Sequence, residues 1–189
     1  MNAPTVPRKA RILAAACLSV VLPQALAGAS PPADVVPLNA FPRERIAVET
    51  RGSFRRQLFE AWRAETTAAR TQGLMYVEDA QMRPDQAMIF VYQPPQYVAM
   101  WMKNTLLSLD MLFVDQKGCV VTIKERAQPR SLSTIESRVP VVLVVELRAG
   151  TVAERGIHVG DRVVRIDVGW PRESVACAGS DQAGRSLDR

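Results

Sequence analysis

Met100-Trp101-Met102-Lys103-Asn104-Thr105 places an indole, a cation, an amide and a hydroxyl within six consecutive residues, and Asp110 follows in the apolar run Leu109-Asp110-Met111-Leu112-Phe113-Val114. A second carboxylate, Glu146, is set in an almost unbroken aliphatic stretch from Pro140 to Leu147. Carboxylates flanked by apolar neighbours lose solvation, which is costly unless a cation or several donors meet them. Lys103 is the first candidate partner for Asp110. Strand alternation would put Trp101 and Lys103 on one face with Tyr97 and Ala99, Asp110 with Leu112 and Val114, and Glu146 with Val142 and Val144.

Four chemistries fit these residues. The plainest is a structural ion pair or hydrogen-bonded network that fixes strand register, since perturbed ionic groups serve structure as well as function. A binding site would use Trp101 as a stacking face, Lys103 as a charge for an anionic group, Asn104 and Thr105 as directional hydrogen-bonding groups, and Asp110 and Glu146 as further polar contacts. Catalysis by Lys103, Asp110 and Glu146 would need a proximity that spacing alone does not supply. No nucleophile with an activating base stands out, because the single histidine, His158, lies in a Gly-rich loop where exposure is expected. Soft-metal binding through Met75, Met82, Met88, Met100, Met102 and Met111 is chemically suited to Cu(I). Methionine is more often adaptable core filling, and neither a second histidine nor clustered cysteines complete a ligand sphere, so no metal and no cofactor are expected.

The elements that must position these groups read as short strands. Leu58, Glu60 and Trp62 alternate with Phe59, Ala61 and Arg63 as a half-buried strand, and Glu65 to Gln72 reads as one short helix with Thr66 as N-cap and Gly73 as stop. Met88–Tyr92, Tyr97–Lys103 and Leu109–Asp115 read as strands, the last joined through Asp115-Gln116-Lys117-Gly118 to a strand from Cys119 to Lys124. Pro140–Leu147 reads as a strand covered on both faces, and a Gly-punctuated loop from Gly150 to Gly160 leads to a last strand, Arg162–Val168. Too few residues separate these strands for a helix between each pair, so the fold class is mainly β: a small single-domain β-sandwich or barrel with one short helix.

Around this unit the chain changes character. Residues 1–27 form an export signal: Arg8, Lys9 and Arg11, an apolar run from Ile12 to Leu22, then Ala25-Leu26-Ala27, with cleavage expected near Ala27. The run is shorter than the roughly 20 residues of a membrane span, so membrane contact is expected only through this segment if it is not cleaved. Residues 28–53, with Pro31-Pro32, Pro37 and Pro42, read as a flexible linker; 54–171 is the folded domain; 172–189 reads as a disordered tail. Removing the signal takes away three basic residues and lowers the net charge from +5 to about +2, which gives no argument for nucleic-acid binding. A periplasmic or secreted location would let Cys119 and Cys177 form a bridge, although their spacing alone leaves a free pair equally open.

Read in order, Gly73-Leu74-Met75, Ala87-Met88-Ile89-Phe90, Trp101-Met102-Lys103-Asn104-Thr105, Leu109-Asp110, Phe113, the Asp115–Gly118 turn, Pro129, Val145-Glu146-Leu147, Ala149-Gly150, Gly156-Ile157 and Gly160-Asp161 resemble the DUF192 family of domains of unknown function. The likeness runs from about residue 57 to 168, and its most specific piece is the Trp-Met-Lys-Asn-Thr run. It departs at Ala87, where the family usually has Gly, and at Arg148, where it often has Pro. The resemblance implies a compact, jelly-roll-like β domain, frequently exported, with no established activity. The expected function is a non-enzymatic binding domain of the cell envelope that contacts a small-molecule or polymeric ligand through Trp101, Lys103, Asn104, Thr105, Asp110 and Glu146. The alternatives are a carboxylate-dependent hydrolase or transferase using Asp110 and Glu146, and a structural or assembly partner in the envelope.

Overall fold

The computed structural model describes residues 32–51, 55–171 and 176–177. The expected signal segment, and all of the expected tail except Ala176 and Cys177, lie outside the described residues. Among the described residues nine strands form: β1 (Arg43–Glu49), β2 (Arg56–Ala64), β3 (Gln86–Gln96), β4 (Ala99–Met100), β5 (Leu109–Val114), β6 (Val120–Ala127), β7 (Ile135–Glu136), β8 (Val141–Arg148) and β9 (Arg162–Arg165). Two short helices accompany them, α1 (Thr67–Gln72) and α2 (Thr151–Arg155). Seven strands make one sheet in the order β6-β5-β8-β3-β2-β1-β9, and β4 pairs with β7 separately. All neighbours in the large sheet are antiparallel except β2 and β3, which run parallel and are joined through α1. The fold is mainly β, as expected, and its curled seven-strand half-barrel sheet is consistent with the small β-sandwich or barrel read from the sequence.

The sheet curls until its two edges meet at their first residues. Val120 N donates to Asp161 O, Gly160 N to Val120 O, and Val163 N to Gly118 O, each at 2.8 Å. This pairing covers groups that an open sheet edge would otherwise expose. The Cys119–Cys177 disulfide pins the end of the described chain to the same seam. The open question about these two cysteines is thereby answered: they are bridged.

Alternation along the strands divides the core in two. The inner cluster draws on all seven strands, including Ile46, Phe59, Ile89, Leu112, Val145 and Val163. The outer cluster lies on β2, β3, β5 and β8, where Trp62, Met88, Phe90, Met111 and Val144 are covered by Met100 of β4 and by Leu74, Met82 and Met102 from the connecting segments. Phe41 also joins the outer cluster. The methionines thus serve mainly as buried filling for irregular loop-on-sheet packing.

Four expectations are corrected. The stretch read as a linker contains β1, whose Ile46, Ala47 and Val48 are fully buried; its four prolines all precede the strand, and its apolar residues complete the inner core. The loop after Gly150 contains a second helix, α2, bounded by Gly150 and Gly156 in left-handed conformation. Tyr97–Lys103 is strand only at Ala99–Met100, because the chain turns at Met102–Thr105. The last strand ends at Arg165 and passes into a 3₁₀ turn, Ile166–Val168. The helix α1 forms as read, with Thr66 Oγ1 accepting from Ala69 N at 3.1 Å and Gly73 at its C-cap.

Candidate functional site

A pocket of about 230 Å³ lies where α1, the start of the Trp101 segment and the outer face of β3 and β8 converge. Glu146 lines it. In the sheet this residue sits opposite Met88 of β3 and Met111 of β5, so apolar side chains flank it on both neighbouring strands. The residue is 4% exposed, and its Oε2 is a buried atom without a hydrogen-bond partner. Burial alone pushes its acid from the ordinary 4.5 up to about 8, because a low-dielectric surround disfavours the charged form. At neutral pH the side chain is therefore mostly a neutral acid. Among the described residues it is the only carboxyl group with a buried atom left unpartnered.

The other walls come from distant parts of the chain. Tyr92 of β3 is on the same sheet face as Phe90 and Met88, and its hydroxyl donates to Met100 Sδ at 3.6 Å. Burial pushes the Tyr92 phenol up to about 12, opposed by Arg70 and reinforced by Glu146. Arg70 projects from α1 over the Tyr92 ring, 5.1 Å from its centroid. Its Nη1 donates to Val91 O at 2.9 Å and also to Glu65 O. Gly73 ends the helix at φ +48°, and a Cβ there would stand 2.8 Å from Phe90 Cζ. A side chain at this position would push α1 away from the sheet and open the pocket wall.

The Trp-Met-Lys-Asn-Thr run forms a turn across one side of this pocket. Thr105 N donates to Met102 O at 3.0 Å, and Asn104, the third residue of that turn, has φ +56°. Asparagine tolerates the left-handed region that this position demands. Its Nδ2 donates to Tyr76 Oη at 2.8 Å, while Tyr76 N donates to Asn104 O at 2.9 Å. The turn leaves Trp101 at the rim, 44% exposed, and buries Met102 and Thr105. Lys103 is exposed and not part of the pocket lining, with Nζ over the Trp101 ring, 5.4 Å from its centroid.

Of the six residues expected at the site, Trp101, Thr105 and Glu146 line one pocket. Lys103 and Asn104 are outside its lining, the former over the Trp101 ring and the latter bonded to Tyr76, and Asp110 stands elsewhere. Asp110 pairs with Leu147 in the sheet whereas Met111 pairs with Glu146, so the two carboxylates face opposite sides. Asp110 is fully buried; Oδ1 accepts from Arg126 N and Oδ2 from Val152 N, both at 2.9 Å. Lys103 is thus not its partner: two backbone amides are, one of them in the first turn of α2. That correction also removes the geometric basis for a hydrolase in which Asp110 and Glu146 act on one bond.

The sequence reading missed Arg70 and Tyr92. Tyr92 could have been found, since it continues the Met88, Phe90 alternation beyond the apolar run. Nothing local marks Arg70. A larger cleft of about 820 Å³ lies between the segment from Pro32 to Pro42 and α1, with Arg63, Glu65, Met75 and Tyr76 also in its lining. Its cation, Arg63, is partly exposed and ion-paired with Glu44 and Glu65 at 3.3 and 3.2 Å, so its charge is compensated by two carboxylates.

A family model described as "Uncharacterized ACR", DUF192, matches residues 47–165, and the chain belongs to that family. A Sinorhizobium meliloti protein described as a "putative transcription regulator" is 43% identical, with the match covering 67% of this chain and 95% of that one at a TM-score of 0.64. A protein of unknown function from Novosphingobium aromaticivorans is 31% identical, with coverage of 74% and 96% and a TM-score of 0.63. No curated protein matches.

Proposed function

We propose that this is a non-enzymatic binding domain, exported to the cell envelope, that takes a small molecule or one end of a polymeric ligand into the Glu146 pocket. The observation that carries the reading is the unpartnered Oε2 of Glu146 beside a preformed pocket. A buried polar atom left without a partner costs stability, about 1–3 kcal/mol. Such a cost is characteristic of sites kept for function. Trp101 at the rim offers an exposed ring against which a ligand can stack. The Cys119–Cys177 disulfide supports an oxidising compartment, in keeping with the export signal read in residues 1–27. DNA as the ligand, which the description of the Sinorhizobium protein would suggest, finds little support: the described α-helices have six and five residues, too short for a recognition helix.

Glu146→Leu tests the proposal. Replacing an unpartnered buried acid by an apolar side chain of similar size should stabilise the fold, raising the melting temperature by several degrees. The same variant should lose every ligand-induced thermal shift that wild type shows in a metabolite screen. A Glu146→Leu protein that is less stable and retains those shifts would assign the residue to structure alone. N-terminal sequencing of the protein recovered from the periplasm or medium should begin near Gly28.

A further inference from the structure

The pocket's polar groups have a common character. The hydroxyls of Thr71, Tyr92 and Thr105 donate to Thr67 O, Met100 Sδ and Lys103 O respectively. Each hydroxyl has spent its single proton inside the protein and retains lone pairs. The Oε2 of Glu146 has no hydrogen-bond partner, and Met75 and Met100 add thioethers, which can only accept. Phe90, Tyr92 and Trp101 bring aromatic rings, whose faces are electron-rich. Two of those rings already hold cations of the protein itself, Arg70 on Tyr92 and Lys103 on Trp101. Arg70, the one formal cation among the lining residues, directs Nη1 to two backbone carbonyls. Around Glu146 Oε2 the lining thus gathers hydroxyl and thioether acceptors and aromatic faces, while Gln72 Nε2, like Arg70 Nη1, donates to a backbone carbonyl, that of Val36.

We infer that the pocket receives the ammonium end of an aliphatic amine, with Glu146 as its counter-ion. The inference rests on the binding function proposed above and names the chemistry of its ligand. An alkylammonium presents three donors and a positive charge, matching the Glu146 oxygen and the hydroxyl lone pairs, while its chain lies against the methionine and Trp101 surfaces. A volume of about 230 Å³ corresponds to roughly eight water molecules at about 30 Å³ each, room for an amine of a few carbons or the end of a longer one.

Binding is coupled to a proton. Free Glu146 is protonated below about pH 8, so the ammonium displaces one proton from the carboxyl to solvent as the ion pair forms. The charged or titratable groups around it do not compete for this role. Tyr92 stays neutral through this range, with its acid near 12. Arg70 is held by Val91 O and Glu65 O, and Lys103 lies against Trp101. Arg148, two residues along β8, donates to Met82 O and pairs with Asp79. Lys124, opposite Met111 on β6, is exposed.

Isothermal titration of the mature protein with n-butylammonium, 1-butanol and butyrate separates the possibilities. The ammonium should bind at least tenfold more tightly than either isostere. Its affinity should rise about tenfold per pH unit between pH 6 and 7.5, with nearly one proton released per ligand, read from two buffers of different ionisation enthalpy. Glu146→Gln should abolish both the proton release and the pH slope. Butanol or butyrate binding as tightly as the amine, and lost in Glu146→Leu, would overturn the ammonium assignment while leaving the pocket a binding site. Silence of all three probes overturns the ammonium assignment too, and the metabolite screen then decides separately whether the pocket binds anything.

Discussion

Replacing Glu146 by Gln should change how stability depends on pH more than it changes stability at low pH. In the folded protein this acid is raised from 4.5 to about 8, so between those values the folded state holds a proton that the unfolded chain releases. Stability from this group is fully present below pH 4.5 and is lost as pH rises toward 8, after which the loss levels off. Each pH unit in that window is worth about 1.4 kcal/mol, so the wild type at pH 7 forfeits about 3 kcal/mol relative to its stability at pH 4.5. Glutamine keeps the shape and cannot titrate. Urea unfolding followed by tryptophan fluorescence at pH 5, 6, 7 and 8 gives the free energies by linear extrapolation. The difference between variant and wild type should move in favour of Glu146→Gln by about 3–4 kcal/mol from pH 5 to pH 8. Carboxylates common to both proteins cancel in that difference. A difference that stays flat across this range would show that Glu146 ionises normally in the fold, and would remove the physical ground for treating its burial as a functional cost.

Two further outcomes follow from the packing around the pocket. Asp110→Ala leaves the buried amides of Arg126 and Val152 without their acceptors, and should cost about 2–5 kcal/mol in urea unfolding while the folded fraction binds ligand as wild type does. Reducing the Cys119–Cys177 bridge, which spans 58 residues, should cost about 4 kcal/mol by the chain-entropy relation; melting curves with and without reductant measure it.

The central strands were legible because their physics is local. From β3 to β8, β-branched and aromatic residues alternate or run together between Pro- and Gly-rich turns, and Thr66 and Gly73 bracket α1 with ordinary capping chemistry. What was not legible depends on partners far along the chain. β1 reads as charged and irregular because Glu44 is buried, and Glu44 can be buried only because Arg165 and Arg63 reach it, the former from 121 residues away. α2 has five residues, too few for a helical period, and one of its first amides is held by Asp110, 42 residues earlier. Alternation through Tyr97–Lys103 failed because Asn104 takes positive φ and turns the chain, which sends Lys103 outward and keeps Trp101 at the rim. Glu146, by contrast, was visible as the carboxylate of the aliphatic strand, and of the neighbours read onto its face Val144 lies in the outer cluster, whereas Val142 packs against the inner one.

Glu146 and Asp110 make a controlled comparison within one sheet. Both are carboxylates on central strands, both are almost fully buried, and their strands lie side by side. Asp110 has a backbone amide for each oxygen and faces the inner core; its burial is compensated and it ties α2 to the barrel. Glu146 faces the outer core between two methionines, one of its oxygens lacks any donor, and burial raises its acid by several pH units. A purely structural residue at that position would be better as leucine, since an apolar side chain would fill the same space without a desolvation cost. The difference between the two acids is therefore in what completes them: for Asp110 the fold does so, whereas Glu146 Oε2 is left for a partner that enters the pocket.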